Sequence, residues 1–209
     1  MATNRIYRGQ LVEQRRADRR EQFLRAGIEV IGGVGYLATT VSAVCAAAGL
    51  SSRQFYEQFD NREDLLVAVY DQVHEDAVAA VRRASAELTG DVDRTAALTL
   101  LVEAYLGSVA CDPARARIVH VEIIGVSEAV ESRRRERRAQ WVPVVEDAIR
   151  MIGGSSRRLP GGDGMAAQAI IGALNALGYE WCLSDPRPPT SEIVDVLLAM
   201  GLGLTSAPR

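Results

Sequence analysis

Apolar positions recur along this chain at helical spacing, and that pattern predicts one helix after another. Over residues 14–34, Phe23, Ala26, Ile28, Val30 and Ile31 supply an apolar stripe, while Arg15, Arg16, Arg19, Arg20 and Arg25 hold the polar side. Gly32, Gly33 and Gly35 then end the helix. A second, short helix spans about Thr40 to Ala48, with Val41, Val44, Cys45 and Ala48 on one face. Gly49 follows, able to take the left-handed conformation that closes it. Ser51-Ser52-Arg53-Gln54 fits a capping box that opens a third helix, with Phe55 and Phe59 as its buried side. Asp60-Asn61-Arg62-Glu63 offers a second box for a fourth helix, whose Leu65, Leu66, Val69 and Val73 face a core. The second and third helices, joined by Ala48-Gly49-Leu50-Ser51, make a helix-turn-helix pattern.

Beyond Asp76 the chain reads as longer helices near residues 94–110, 113–126, 132–152, 164–183 and 191–204, with loops at 153–162 and 184–189. No strand signal and no internal repeat interrupts them. The expected fold class is all-α: an N-terminal three-helix helix-turn-helix domain with a basic arm over residues 1–65, and a larger helical domain over 66–209.

Composition narrows the function classes. With 48% hydrophobic and 24% charged residues, the 209-residue chain has ordinary globular usage, which excludes a disordered or fibrous protein. The most apolar stretch, residues 165–183, is interrupted by Gln168, Asn175 and Glu180, so no membrane span is expected. No apolar run follows Arg5 and Arg8, so no signal peptide is expected either, and the location expected is cytoplasmic. Cys45, Cys111 and Cys182 are far apart in apolar surroundings and read as buried free thiols. With His74 and His120 the only histidines, neither a metal site nor a cofactor is expected. Nucleophile-elbow, phosphate-loop and metalloprotease motifs are absent, so the chain reads as a non-enzyme.

Charge is unevenly placed. The net value is -3, yet residues 1–62 hold nine Arg against six acids, +3, and the remainder carries -6. A basic N-terminal third on an acidic chain points to a polyanion partner for that third.

Three stretches carry a resemblance: Gly35-Tyr36-Leu37-Ala38-Thr39-Thr40-Val41, Ala48-Gly49-Leu50-Ser51, and Phe55-Tyr56-Glu57-Gln58-Phe59-Asp60-Asn61-Arg62-Glu63-Asp64-Leu65-Leu66. Over roughly residues 16–70 the chain resembles the TetR family of one-component transcriptional regulators. Beyond that it is similar only in helix count and length. Arg62 stands where the family usually has Lys, and Arg53-Gln54 where Gly-Thr or Gly-Ser is common. The resemblance implies a homodimeric, repressor-like regulator. Its third helix enters the major groove of a double-stranded operator, its C-terminal domain encloses a pocket for a small-molecule effector, and ligand binding moves the two DNA-binding heads apart. The alternatives are a helical protein-interaction module or a ligand-independent DNA-binding protein.

On the third helix Ser52, Arg53, Gln54, Tyr56 and Gln58 are expected to face outward, sized for a groove about 12 Å wide. Arg53 suits guanine O6/N7. Gln54 either reads adenine or is occupied by its own capping box. Tyr56 and Arg62 look like phosphate contacts, because an external anion would explain a cation in the first turn of the fourth helix. Thr40, the family's usual phosphate contact, is otherwise simply an N-cap, with Thr39 as the other candidate cap. Arg5, Arg8, Arg15 and Arg16 form an arm that either tracks the DNA or is a solvated tail. The run Arg133-Arg134-Arg135-Glu136-Arg137-Arg138 reads as a solvated face.

Polar-tipped and aromatic residues embedded in apolar helices are the candidate effector contacts: Glu103, Tyr105, His120, Glu122, Trp141, Asn175, Tyr179 and Trp181. They predict an apolar effector, aromatic or acyl-bearing, with the 113–126 helix as transmitter. The last two helices predict the dimer seam, through Ala169, Gly172, Ala173 and Ala176 on one and Ile193, Val196, Leu197, Met200, Gly201 and Leu204 on the other.

Overall fold

A computed structural model describes residues 2–88, 93–153, 159 and 161–206, without the side chains of 2–11, 152–153 and 205–206. Arg5 and Arg8 of the expected arm therefore fall outside the described side chains, as do residues 154–158 and 160 of the expected loop. All described secondary structure is helical. The chain divides into two units, Met1–Tyr70 and Asp71–Arg209.

The N-terminal unit holds α1 (Ala2–Val34), α2 (Val41–Ala48), α3 (Ser52–Tyr56) and the start of α4 (Arg62–Glu87). α1 begins well ahead of Gln14, in a segment with no proline to stop it. Phe23 is the keystone of the core, edge-on to Phe55 at 5.4 Å and to Phe59 at 6.1 Å. Gly49 (φ 67°) closes α2 in the left-handed conformation, and Leu50 N–H donates to the Cys45 carbonyl. At the start of α4 the cap is Asn61 rather than Asp60. Its Oδ1 accepts from the Glu63 and Asp64 amides, and the Asp64 carboxylate accepts from the Asp60 amide.

The C-terminal unit holds the rest of α4 with α5 (Arg94–Val109), α6 (Pro113–Arg117), a π-helical turn (Ile118–Glu122), α7 (Glu128–Gly153), α8 (Gly162–Leu183) and α9 (Thr190–Ser206). Asp93 and Asp112 cap α5 and α6. The single helix expected over 113–126 is thus a short α-helix running into a π-turn. Arg117 and Glu122, five apart, bond at 2.7 Å across that turn, where the wider π register stacks them. The His120 ring fills the space over Gly178, where a Cβ would sit 2.6 Å from the ring.

Three expectations are corrected here. Ile193 and Leu197 are buried within the chain, and Gly201 is buried against Leu98 of α5. These residues therefore build the unit's own core and not a seam, because the apolar stripe of α9 packs part of its width against α5. Val196 is 45% exposed; Ala169, Gly172 and Ala176 are exposed, and Ala173, Met200 and Leu204 half-buried. The arginine run is not uniformly solvated: Arg133 and Arg137 both bond Asp71. Cys45 and Cys182 are buried, but Cys111 is exposed. Among the described residues no single helix is long and apolar enough to cross a membrane; one bent pair, Arg94–Val109 with Pro113–Glu122, meets the length and composition criteria together, turned 95° at its break.

Candidate functional site

The first candidate site lies within the N-terminal unit, on α2, α3 and the turns that flank them. Thr40 is the N-cap of α2, its Oγ1 accepting from Ala43 N–H at 3.1 Å, while its side chain stays exposed. Thr39 is buried and donates to the Gly35 carbonyl at 2.8 Å, so it takes no part in the cap. α3 carries both halves of its capping box. Gln54 Oε1 accepts from the Ser51 amide and hydroxyl, each at 2.9 Å. A Gln reading adenine needs both its oxygen and its nitrogen, so this box leaves Gln54 only the Nε2 donors. Arg53 is not part of that box: its side chain is 90% exposed and pairs with Glu57 at 3.4 Å. Ser52 and Tyr56 are exposed beside it.

Two residues assigned outward roles sit elsewhere. α3 ends at Tyr56, so Gln58 falls in the following turn; it is half-buried, its Nε2 is enclosed, and its carbonyl accepts from Arg20. Arg62 turns inward. Its Nη1 donates to the carbonyls of Thr39 (2.8 Å), Leu37 (3.3 Å) and Tyr36 (3.5 Å), and the guanidinium lies 4.8 Å from the Tyr36 ring centroid. The partners that hold a cation here are internal: the carbonyl oxygens of the turn between α1 and α2. Burial pushes the Tyr36 phenol up, and Arg62 partly opposes that.

The effector candidates do not converge on one wall. Glu103 and Tyr179 are exposed. Trp181 is buried, donating to the Pro188 carbonyl at 2.7 Å. Asn175 donates to the Ile171 carbonyl at 2.7 Å within its own helix, and Glu122 is taken by Arg117. Tyr105 and Trp141 do meet, edge to face at 5.4 Å. Trp141 Nε1 donates to His74 Nδ1 at 2.9 Å, so neutral His74 carries its proton on Nε2. Burial, then the charge of Arg137, pushes His74 down to about 3, and burial alone pushes His120 down to about 4. Both are neutral at pH 7. Among the described residues no group of three or more His, Cys, Asp or Glu is placed to hold a metal ion.

A groove of about 530 Å³ runs between α4 and α7. It is lined by His74, Glu75, Val78, Arg82, Arg137 and Trp141, among others. Arg137 donates through Nε to Asp71 (2.6 Å), through Nη2 to Glu75 (2.7 Å) and through Nη1 to Gln140 (3.0 Å). Burial raises the Asp71 carboxyl, but hydrogen bonds from Arg137 and Arg133 outweigh it and hold the group below its ordinary value.

Known proteins bear on this geometry. Residues 23–69 match the family described as bacterial regulatory proteins, tetR family. Its N-terminal unit therefore carries a tetR-type domain over those residues. A curated relative, the HTH-type transcriptional regulator BetI of Rhizobium meliloti (strain 1021), is 35% identical over 71 residues, 32% of this chain, and the match takes in about a third (35%) of that protein's length. Among solved structures, the fatty acid degradation regulator FadR from Bacillus halodurans superposes with TM-score 0.76 at 20% identity, covering 91% of this chain and 96% of that one. The transcriptional regulator FadR from Bacillus subtilis, in complex with stearoyl-CoA, gives 0.71 at 19% identity, covering 90% and 99%. At those identities the likeness shows the fold. The family is one of regulators and not of enzymes.

In the C-terminal unit the residues that sequence reasoning missed are Arg137, Glu75, Arg82 and His74. A signal for the first two was present. Asp71 and Glu75 are four apart on one helix, and Arg133 and Arg137 four apart on another, so each pair makes one stripe on one face. Complementary stripes can dock; a helical wheel of the arginine run alone cannot reveal its partner.

Proposed function

We propose that this chain is a ligand-responsive DNA-binding transcriptional regulator of the tetR type, a repressor released from a palindromic operator by a small molecule. The observation that carries the reading is α3: a capped five-residue helix after a tight turn, with Arg53 90% exposed and Ser52 and Tyr56 beside it. An exposed guanidinium on such a helix suits bidentate recognition of guanine, while Thr40 and Tyr56 position the head on phosphates. Two copies would pair through the exposed side of α8 and α9, where Ala169, Gly172, Ala176 and Val196 leave room for close approach. The stearoyl-CoA held by the Bacillus subtilis FadR supports an effector site in the helices after residue 70, and the proposed DNA partner implies a cytoplasmic location.

Mobility shift against a pool of genomic fragments tests the reading. Selected fragments should share a palindrome, and Arg53→Ala should weaken specific binding by about 1–3 kcal/mol while relaxing one base position per half-site. Equal losses on selected and random DNA would remove the reading role from Arg53. A chain that retards no fragment at low salt would overturn the function.

A further inference from the structure

We propose that the groove between α4 and α7 is a binding site for a monocarboxylate on a compact apolar body, its carboxylate seated between Arg82 and Arg137. The site itself stands on geometry alone; its effect on DNA rests on the regulatory reading above.

The size is right for a small ligand, about 530 Å³ against the roughly 300–1,000 Å³ usual for such sites. Val78, Ala79, Trp141 and Pro143 give it an apolar floor. Its charged groups are Arg82, Arg137 and Glu75, since His74 is neutral. The lining thus carries two guanidiniums against one carboxylate, and Asp71, which is not part of the lining, is shared between Arg137 and Arg133.

The geometry also says where that carboxylate goes. Arg137 is nearly buried, with a side chain 11% exposed, and its two carboxylate partners differ. Asp71 is 19% exposed and bound by Arg133 as well, while Glu75 is 62% exposed. Glu75 is the partner that leaves at least cost, because water takes it readily and the ligand's carboxylate keeps Arg137 satisfied. Arg82 lies two turns beyond Glu75 on the same face of α4, exposed and without an ion pair among the described residues. Arg82 and Arg137 line the same groove, so a ligand that takes the place of Glu75 there also meets a second guanidinium that Glu75 does not pair with. Glu75 thus acts as a built-in competitor, filling the anion position when no ligand is present.

Calorimetric titration of the full chain with 2-naphthoate, beside its neutral counterpart 2-naphthamide, tests this. Naphthoate should bind one to one and about tenfold tighter than the amide, the ratio expected of charge-assisted contacts. Arg82→Gln should loosen naphthoate about tenfold with little effect on the amide. Glu75→Gln removes the competitor and should tighten naphthoate by about three- to tenfold. That gain decides the matter, because a damaged fold does not produce it, whereas Arg137→Gln also releases Asp71. Equal affinities for acid and amide, no binding at millimolar naphthoate, or a Glu75→Gln variant that binds no tighter would each overturn the site. Mobility shift is a separate arm: naphthoate that binds as expected but leaves the DNA complex intact would sustain the site and refute its role in release.

Discussion

Replacing Arg62 by alanine should unfold the N-terminal unit more readily even when no DNA is present. One nitrogen of this guanidinium bonds the Thr39 carbonyl at 2.8 Å, with the Leu37 and Tyr36 carbonyls at longer range. A hydrogen bond from a charged donor contributes about 1.5–3 kcal/mol, and a half-buried site argues for the lower end. Stacking over the Tyr36 ring at 4.8 Å adds about 0.5–1 kcal/mol. The expected loss is therefore about 2 kcal/mol. It should lower the melting midpoint by about 10 °C where the N-terminal unit melts as its own transition, and by about 4–8 °C where the chain melts as one. Circular dichroism melts of the free protein measure it. Arg62→Lys separates the clamp from a mere positive charge: an ammonium cannot keep the same planar stacking and carbonyl reach, so it should recover less than half of the loss. The phosphate alternative has a different signature. It leaves the free protein's midpoint unchanged and lowers the salt slope of DNA binding by about one. An Arg62→Ala chain that melts with the wild type and shows that lowered slope would refute the clamp.

Gly178→Ala should destabilise the C-terminal unit by about 1–3 kcal/mol, because its Cβ meets the His120 ring at 2.6 Å; the paired His120→Ala change should recover most of that in a urea titration, and a neutral Gly178→Ala would show that the ring can move aside. Acid should weaken the same unit: His74 and His120 are held neutral with values of about 3 and about 4, so below the ordinary 6.5 the unfolded chain binds more protons. Stability is then full above about pH 6.5 and falls as pH drops toward 4, by up to about 1.4 kcal/mol per pH unit for each histidine, and urea midpoints that stay level between pH 7 and 5 would contradict it. Val196→Glu, at a position 45% exposed, should leave the fold intact and give monomers by light scattering, whereas Leu197→Glu, at a position 4% exposed, should unfold the chain; a dimeric Val196→Glu variant would place the seam elsewhere.

Most of the helices, their order and the caps at Gly49 and Ser51 were legible in the residues alone, because capping and helical periodicity are local. Ser51 and Gln54 are three apart, and their reciprocal bonds form wherever the chain begins a helix there. Gly49, Asp93 and Asp112 act over similarly short distances. The tetR-type domain was legible for the same reason: its turns and α3 are built from neighbours in sequence.

Partners distant in sequence were not legible. Arg62 finds its carbonyls more than twenty residues upstream, where α1 stops, and an arginine in a first helical turn is by itself equally suited to a phosphate. Arg137 finds Asp71 and Glu75 more than sixty residues away, which turns a seemingly solvated charge run into the wall of a groove. On α9 a periodic stripe gives the apolar positions, but only packing against α5 decides which of them face inward, so Leu197 is core and Val196 is surface. The π-turn at Ile118–Glu122 is of the same kind: its register suits a histidine that must fit over Gly178 on another helix. Sequence determines which side chains share a face, through bonds a few residues long. Tertiary structure alone determines what that face meets, because burial and charge pairing are properties of surfaces brought together from far apart in the chain.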